Sequence, residues 1–182
     1  MRLALIGVGL IGASAAWAMK RGSVFETVSA FDLSAQSARK AVEMGIADTA
    51  ADTLEACVQG ADAVLVAVPV LAIEKVMAQI EPFLRDETLV TDVGSVRGVV
   101  IEGARRALKE KFVNYAPVHP IAGGEMPGVD YADADLFVGA KAISTPVADI
   151  GDRAVQFWEN AWKTAGSDLL RMPMRMSAGR SS

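Results

Sequence analysis

Arg2-Leu-Ala-Leu-Ile-Gly-Val-Gly-Leu-Ile-Gly12, at the start of the chain, sets its architecture. An apolar run breaks into glycines and resumes as a helical pattern, and Asp32 follows twenty residues after Gly12. Gly7 permits a tight turn out of a strand, Gly9 lets the backbone approach a pyrophosphate, and Gly12 lets the helix pack closely on the sheet. The first turn of that helix, with Leu10 and Ile11, offers free backbone N–H groups to phosphates. Strand before, helix after and an acid at the expected distance together imply dinucleotide binding, where the glycine pattern alone would not.

The rest of the chain repeats the strand and helix alternation. Strand-like runs at Leu3–Ile6, Val28–Phe31, Ala63–Val68, Leu89–Thr91, Phe112–Tyr115 and Ala142–Ser144 alternate with helical patterns. This is the signature of an α/β domain, a doubly wound parallel sheet covered by helices. Helices are expected at Ile11–Lys20, stopped by Gly22, and at Ala35–Met44, capped by Ser34 and stopped by Gly45. A short helix follows the Thr53 cap, and longer ones cover Leu71–Phe83, Val96–Leu108 and Asp149–Ala165. In the last, Ile150, Val155, Phe157, Trp158 and Trp162 read as packing residues rather than as a cofactor box. The dinucleotide-binding domain is expected to occupy residues 1–166. Asp168–Met172 has the pattern of one more strand. From Pro173 to Ser182 neither periodicity nor a cap is present, and residues 167–182 are expected to form a disordered tail.

Composition narrows the function classes. A chain of 182 residues can bury a core without covalent staples. One cysteine, Cys57, gives no internal disulfide, so the default compartment is the cytoplasm. No apolar run approaches the ~20 residues that span a bilayer. The formal charge of −4 is scattered, with no basic stripe for nucleic acid. A small-molecule ligand is expected, and neither a nucleic acid nor a membrane.

Several residues could carry chemistry at the carboxyl edge of such a sheet, where ligands of doubly wound folds lie. Asp32 stands where a carboxylate accepts from the adenosine ribose hydroxyls. Because Leu33 and Ser34 follow it rather than an arginine, it favours NAD over NADP. Its other reading is a turn residue before the Ser34 cap. Arg39, well into the next helix, is expected to face solvent. Val66-Ala-Val-Pro-Val70 ends a strand, placing Val68 and Pro69 beneath the cofactor. In Thr91-Asp-Val-Gly-Ser-Val-Arg97, Ser95 can cap the next helix, place its hydroxyl in the cleft, or do both. His119, the only histidine, lies in Ala116-Pro-Val-His-Pro-Ile-Ala-Gly-Gly124, read as a loop just beyond a strand. A histidine titrates near neutrality and can accept a hydroxyl proton while the carbon beneath loses hydride; a structural role stays open beside that one. Metal binding is not expected, since no second histidine or cysteine pair completes a site.

These pieces resemble the prephenate and arogenate dehydrogenases. The resemblance rests on Gly7–Ser14, Asp32, Ala67-Val-Pro69, Thr91–Arg97, His119–Glu125, Ala134-Asp-Leu-Phe137 and Ile143-Ser-Thr-Pro146, in that order, and spans residues 1 to about 166. Its most specific part runs from His119 to Phe137. The resemblance implies a Rossmann-like NAD-binding domain and oxidative decarboxylation of prephenate to 4-hydroxyphenylpyruvate with NAD, a step toward tyrosine. It implies that His119 takes the ring hydroxyl's proton, that Ser95 positions this group and the nicotinamide, and that Glu125 lies beside the site. It further implies a helical second domain that dimerises and supplies a substrate-holding arginine. No residue here matches that domain, so the chain is expected to be truncated and impaired. Gly124 stands where serine or threonine is usual, and Arg97 where lysine is common. Arogenate as substrate, and a non-catalytic NAD-binding module, are the alternative readings; a β-hydroxyacid dehydrogenase type shares the early glycines but not the His119–Gly124 run.

Overall fold

In a computed structural model that describes residues 1–95, 97–124 and 126–174, the chain alternates strands and helices throughout. β1 (Arg2–Ile6) leads into α1 (Leu10–Arg21) and β2 (Thr27–Phe31) into α2 (Ala35–Glu43). A two-residue β3 (Thr49–Ala50) precedes a short α3 (Leu54–Val58). Then come β4 (Ala63–Val66), α4 (Val70–Ile80), β5 (Leu89–Asp92), α5 (Arg97–Leu108) and β6 (Tyr115–Ile121). β7 (Lys141–Ser144), α6 (Asp152–Thr164) and β8 (Asp168–Arg171) follow. Local chemistry sets the ends. The Ser34 hydroxyl accepts from the Ser37 N–H and the Thr53 hydroxyl from the Ala56 N–H, while Gly45 turns the chain after α2 at φ +78°.

The strands form one sheet in the order β3-β2-β1-β4-β5-β6-β7-β8. From β3 to β6 all pairs are parallel, as expected for a doubly wound domain. Right-handed crossovers place α1 and α2, which step one way along the sheet, on one face, and α3, α4 and α5, which step the other way, on the opposite face. α6 packs beside α1, and α4 beside α5. The direction of travel reverses between β1 and β4. Their carboxyl ends therefore part to leave the crevice in which such folds bind ligands.

Central strands are covered on both faces, and β1 and β4 read as continuous apolar runs for that reason. Leu3, Leu5, Val64 and Leu65 are fully buried, each contributing about 2 kcal/mol. The α6 residues behave as packing groups. Trp158 and Trp162 are fully buried, Trp158 against Phe157 and Phe25, Trp162 edge-on to Phe137 with centroids 5.0 Å apart.

Four features depart from the sequence expectations. Phe112–Tyr115 is not a strand: residues Lys109–Asn114 form tight 3-10 turns with Phe112 buried beneath, and the strand begins at Tyr115. β6 then runs through Pro117 and Pro120, so His119 lies on a strand and not in a loop. β7 is antiparallel to β6, because the return from β6 carries no crossover helix. β8 pairs parallel with β7, with the Met172 N–H reaching the Ser144 carbonyl at 2.8 Å. β8 bears out the strand read at Asp168–Met172, and the sheet runs past residue 166, where the tail was expected to begin. Residues 175–182 of that expected tail lie outside the described residues, as does Glu125. No helix among the described residues is long and apolar enough to cross a membrane.

Candidate functional site

The glycine-rich turn leaves β1 at the switch point and is held from both sides. The Gly7 N–H donates to the Phe31 carbonyl at 2.9 Å, and the Val8 N–H donates to Asp32 Oδ2 at 2.7 Å. The second carboxylate oxygen of Asp32 accepts the Ser34 N–H at 2.8 Å. These contacts are those of the turn reading: Asp32 anchors the glycine-rich turn and shapes the start of α2. Gly7 has φ +94°, and a methyl group there would sit 2.4 Å from the Ala67 carbonyl oxygen. A methyl on Gly12 would meet the Gly7 carbonyl oxygen at 2.4 Å and the Ala67 Cβ at 2.7 Å. Gly9 differs, for nothing lies within 4 Å of its missing Cβ. Gly7 and Gly12 are required by the protein's own packing, whereas Gly9 faces open space in front of α1.

That space suits a pyrophosphate. α1 begins at Leu10 without any side-chain cap on its first turn, so its leading N–H groups and the positive end of its dipole face outward. Leu10, Ile11 and Val68 line the opening half-buried, and Pro69 stands exposed at the start of α4. Arg39 is exposed on α2, turned to solvent as expected.

The other wall is built by the ends of β5 and β6. His119 is half-buried, and its Nδ1 lies 3.0 Å from the Val93 carbonyl oxygen. A carbonyl only accepts, so Nδ1 carries the proton and the neutral ring keeps its lone pair on Nε2. Ser95 is exposed in the bend between β5 and α5; its neighbour Val96 lies outside the described residues. Beyond β6 the chain returns toward α1, where Gly124 approaches so closely that a Cβ would stand 3.2 Å from Leu10 Cδ2. This contact brings the two walls together.

Behind His119 lies a buried polar group that the sequence reading did not single out. Asp92 ends β5 at 2% exposure, accepts the Gly94 N–H on Oδ1 at 2.7 Å and takes the Tyr115 hydroxyl on Oδ2. Burial pushes its carboxyl up to about 6, opposed by those hydrogen bonds and by Arg97, and pushes the Tyr115 phenol well above its ordinary value. Arg97 at the start of α5 donates to Thr145 Oγ1 and the Ile143 carbonyl, each at 2.8 Å. Its guanidinium thereby ties α5 to β7 at the residue paired with His119. The available signal was an aspartate two residues before a glycine at a strand end, a pattern that favours a side-chain-closed turn.

Residues 15–170 match the family model described as the prephenate dehydrogenase nucleotide-binding domain. The chain belongs to the prephenate dehydrogenase family. The matched stretch holds Asp32, Ser95 and His119, and it runs into β8. A cyclohexadienyl dehydrogenase of Zymomonas mobilis is 35% identical over 92% of this chain and 56% of its own length. A prephenate dehydrogenase of Bacillus subtilis is 31% identical over 92% of this chain and 45% of its own. The chain thus spans about half the length of these curated relatives. Among solved structures, the Aquifex aeolicus prephenate dehydrogenase in complex with hydroxyphenyl propionate and NAD+ superposes with a TM-score of 0.87 at 27% identity, over 95% of this chain and 60% of that one. A Synechocystis arogenate dehydrogenase follows at 0.86 and 26% identity, with the same coverages. Family membership makes this a nucleotide-binding domain of a dehydrogenase family, in agreement with the glycine-rich turn.

Proposed function

We propose that this chain is the NAD-binding and proton-abstracting part of a dehydrogenase that oxidatively decarboxylates prephenate, or its amino-acid counterpart arogenate. The reading is carried by His119, whose Nδ1 is committed to the Val93 carbonyl and whose Nε2 is left as a base at the carboxyl edge of the sheet. Gly9, Leu10, Ile11 and Gly12 hold the pyrophosphate through backbone N–H groups, while Gly7 and Gly12 keep the turn tight. Asp32 accepts from the ribose hydroxyls, and its charge repels a 2′-phosphate. Val68 and Pro69 support the ring side of the cofactor. The chemistry the bound NAD supplies is acceptance of a hydride from the substrate's ring carbon.

His119 Nε2 takes the proton of the hydroxyl on that carbon as the carbonyl forms. Loss of carbon dioxide then pushes an electron pair back onto the oxygen, and the His119 imidazolium can return the proton to the phenolate it creates. Aromatisation makes the sequence effectively irreversible. Ser95, exposed beside this site, holds the reacting hydroxyl in line with Nε2. The test is formation of NADH by the purified chain supplied with NAD and either prephenate or arogenate, with NAD affinity measured in parallel. NADH formation dependent on either acid supports the reading. Tight NAD binding with no turnover of either would reduce the chain to a nucleotide-binding module.

A further inference from the structure

One peptide group stands between His119 and a buried carboxylate. The Val93 carbonyl faces His119 Nδ1 at 3.0 Å. The N–H of the same peptide unit, carried by Gly94, donates to Asp92 Oδ1 at 2.7 Å. We infer that Asp92 is a positioning residue that acts on His119 through the Val93–Gly94 peptide, forming a histidine–peptide–carboxylate relay. This inference rests on the reading of His119 as the base.

Hydrogen bonds in series polarise one another, and a charged acceptor strengthens the bond it receives. A carboxylate drawing on the Gly94 N–H increases the negative end of the peptide dipole at the Val93 oxygen. That oxygen then holds the His119 Nδ1 proton more firmly, which fixes the tautomer and raises the basicity of Nε2. A turn alone would need only a neutral acceptor at position 92. Here Tyr115 from β6 donates to the second carboxylate oxygen, and Arg97 from α5 favours the charged form from the third side. Burial opposes ionisation and lifts the carboxyl to about 6, while the Tyr115 hydroxyl, the Gly94 N–H and Arg97 favour the carboxylate. Arg97 also binds the carbonyl of Ile143, the strand partner of His119, which holds the imidazole's backbone in register with its acceptor.

With one histidine in the chain, its imidazole nitrogens can be followed without ambiguity by nitrogen NMR. In the unsubstituted protein the neutral ring is expected to carry its proton on Nδ1. In Asp92→Asn the His119 pKa is expected to fall by roughly half a unit or more as the acceptor loses its charge assistance. The proton is expected to spread toward Nε2. An unchanged His119 pKa and tautomer in a folded Asp92→Asn protein overturns the relay, whatever the outcome of activity assays. Should the variant not fold, the Gly94 amide of the unsubstituted protein is the second readout. Its signal is expected to move with the His119 titration, and a Gly94 amide that ignores that titration overturns the relay. Loss of NADH formation in His119→Asn tests the base reading separately.

Discussion

Asp32 accepts the Val8 N–H at 2.7 Å, so the carboxylate that closes β2 also holds the glycine-rich turn of the neighbouring strand. Asp32→Asn turns one of the two oxygens that accept from the turn into a donor, and under the proposed function it also takes the charge from the ribose acceptor. Asp32→Asn is expected to weaken NAD binding by about tenfold or more, the range of a hydrogen bond to a charged group. It should also narrow the preference over NADP, because the repelling charge is gone. Calorimetric titration with both dinucleotides checks this, and an unchanged NAD affinity would remove Asp32 from the cofactor site.

Gly7 and Gly9 separate folding from binding. Gly7→Ala places a methyl 2.4 Å from the Ala67 carbonyl oxygen at φ +94°, and is expected to cost several kcal/mol, of order 3, in unfolding free energy. Gly9→Ala meets nothing within 4 Å. It is expected to change stability by less than about 1 kcal/mol while sharply reducing NAD affinity, since the methyl would stand in the space proposed for the pyrophosphate. Denaturant unfolding and NAD titration of both variants distinguish the two roles. Equal stability losses would argue that Gly9 is a packing residue.

Much of this arrangement is legible from residue order. The Gly7–Gly12 run, Asp32 and the strand and helix alternation place the crevice, because each glycine answers a backbone demand that sequence expresses directly. Position along a strand is less visible. His119 reads as a loop residue since Pro117 and Pro120 flank it, and proline is rare inside a sheet. β6 accommodates them where its pairing passes from β5 on one side to β7 on the other. The two-residue β3 is too short to show a period, and Phe112 is apolar because a 3-10 turn buries it. Asp92 escapes notice for a different reason, as only the tertiary packing of Tyr115 and Arg97 around it turns a strand-end aspartate into a buried charge.

Trp162 fastens α6 to the sheet through full burial and its edge-on contact with Phe137. Trp162→Ala is expected to cost about 3–5 kcal/mol, the usual range for removing a large buried aromatic. Thermal unfolding measures the loss. A cost below about 1 kcal/mol, typical of surface positions, would mean that the ring is not part of a close-packed core.

Asp92 should give the stability a pH dependence opposite to that of paired surface carboxylates. Its carboxyl rises from 3.8 to about 6 on folding, so between those values the folded chain holds the proton that the unfolded chain has released. The neutral acid therefore contributes stability that is fully present below the unfolded value and is lost as pH rises through about 6. The full effect is of order a few kcal/mol. Asp92→Asn lacks this loss, so its unfolding free energy relative to the unsubstituted protein should rise between acid and neutral pH. A difference independent of pH would show that Asp92 is not protonated on folding.

The most direct measurement compares prephenate-dependent NADH formation by the unsubstituted protein and by His119→Asn, with NAD affinity determined for both. The variant is expected to lose about 10²–10⁴-fold in kcat, the usual contribution of a general base, while NAD affinity is preserved because His119 lies on the wall opposite the glycine-rich turn. An undiminished kcat in His119→Asn would rule out His119 as the base, since the proton would then leave by a route in which this imidazole has no part.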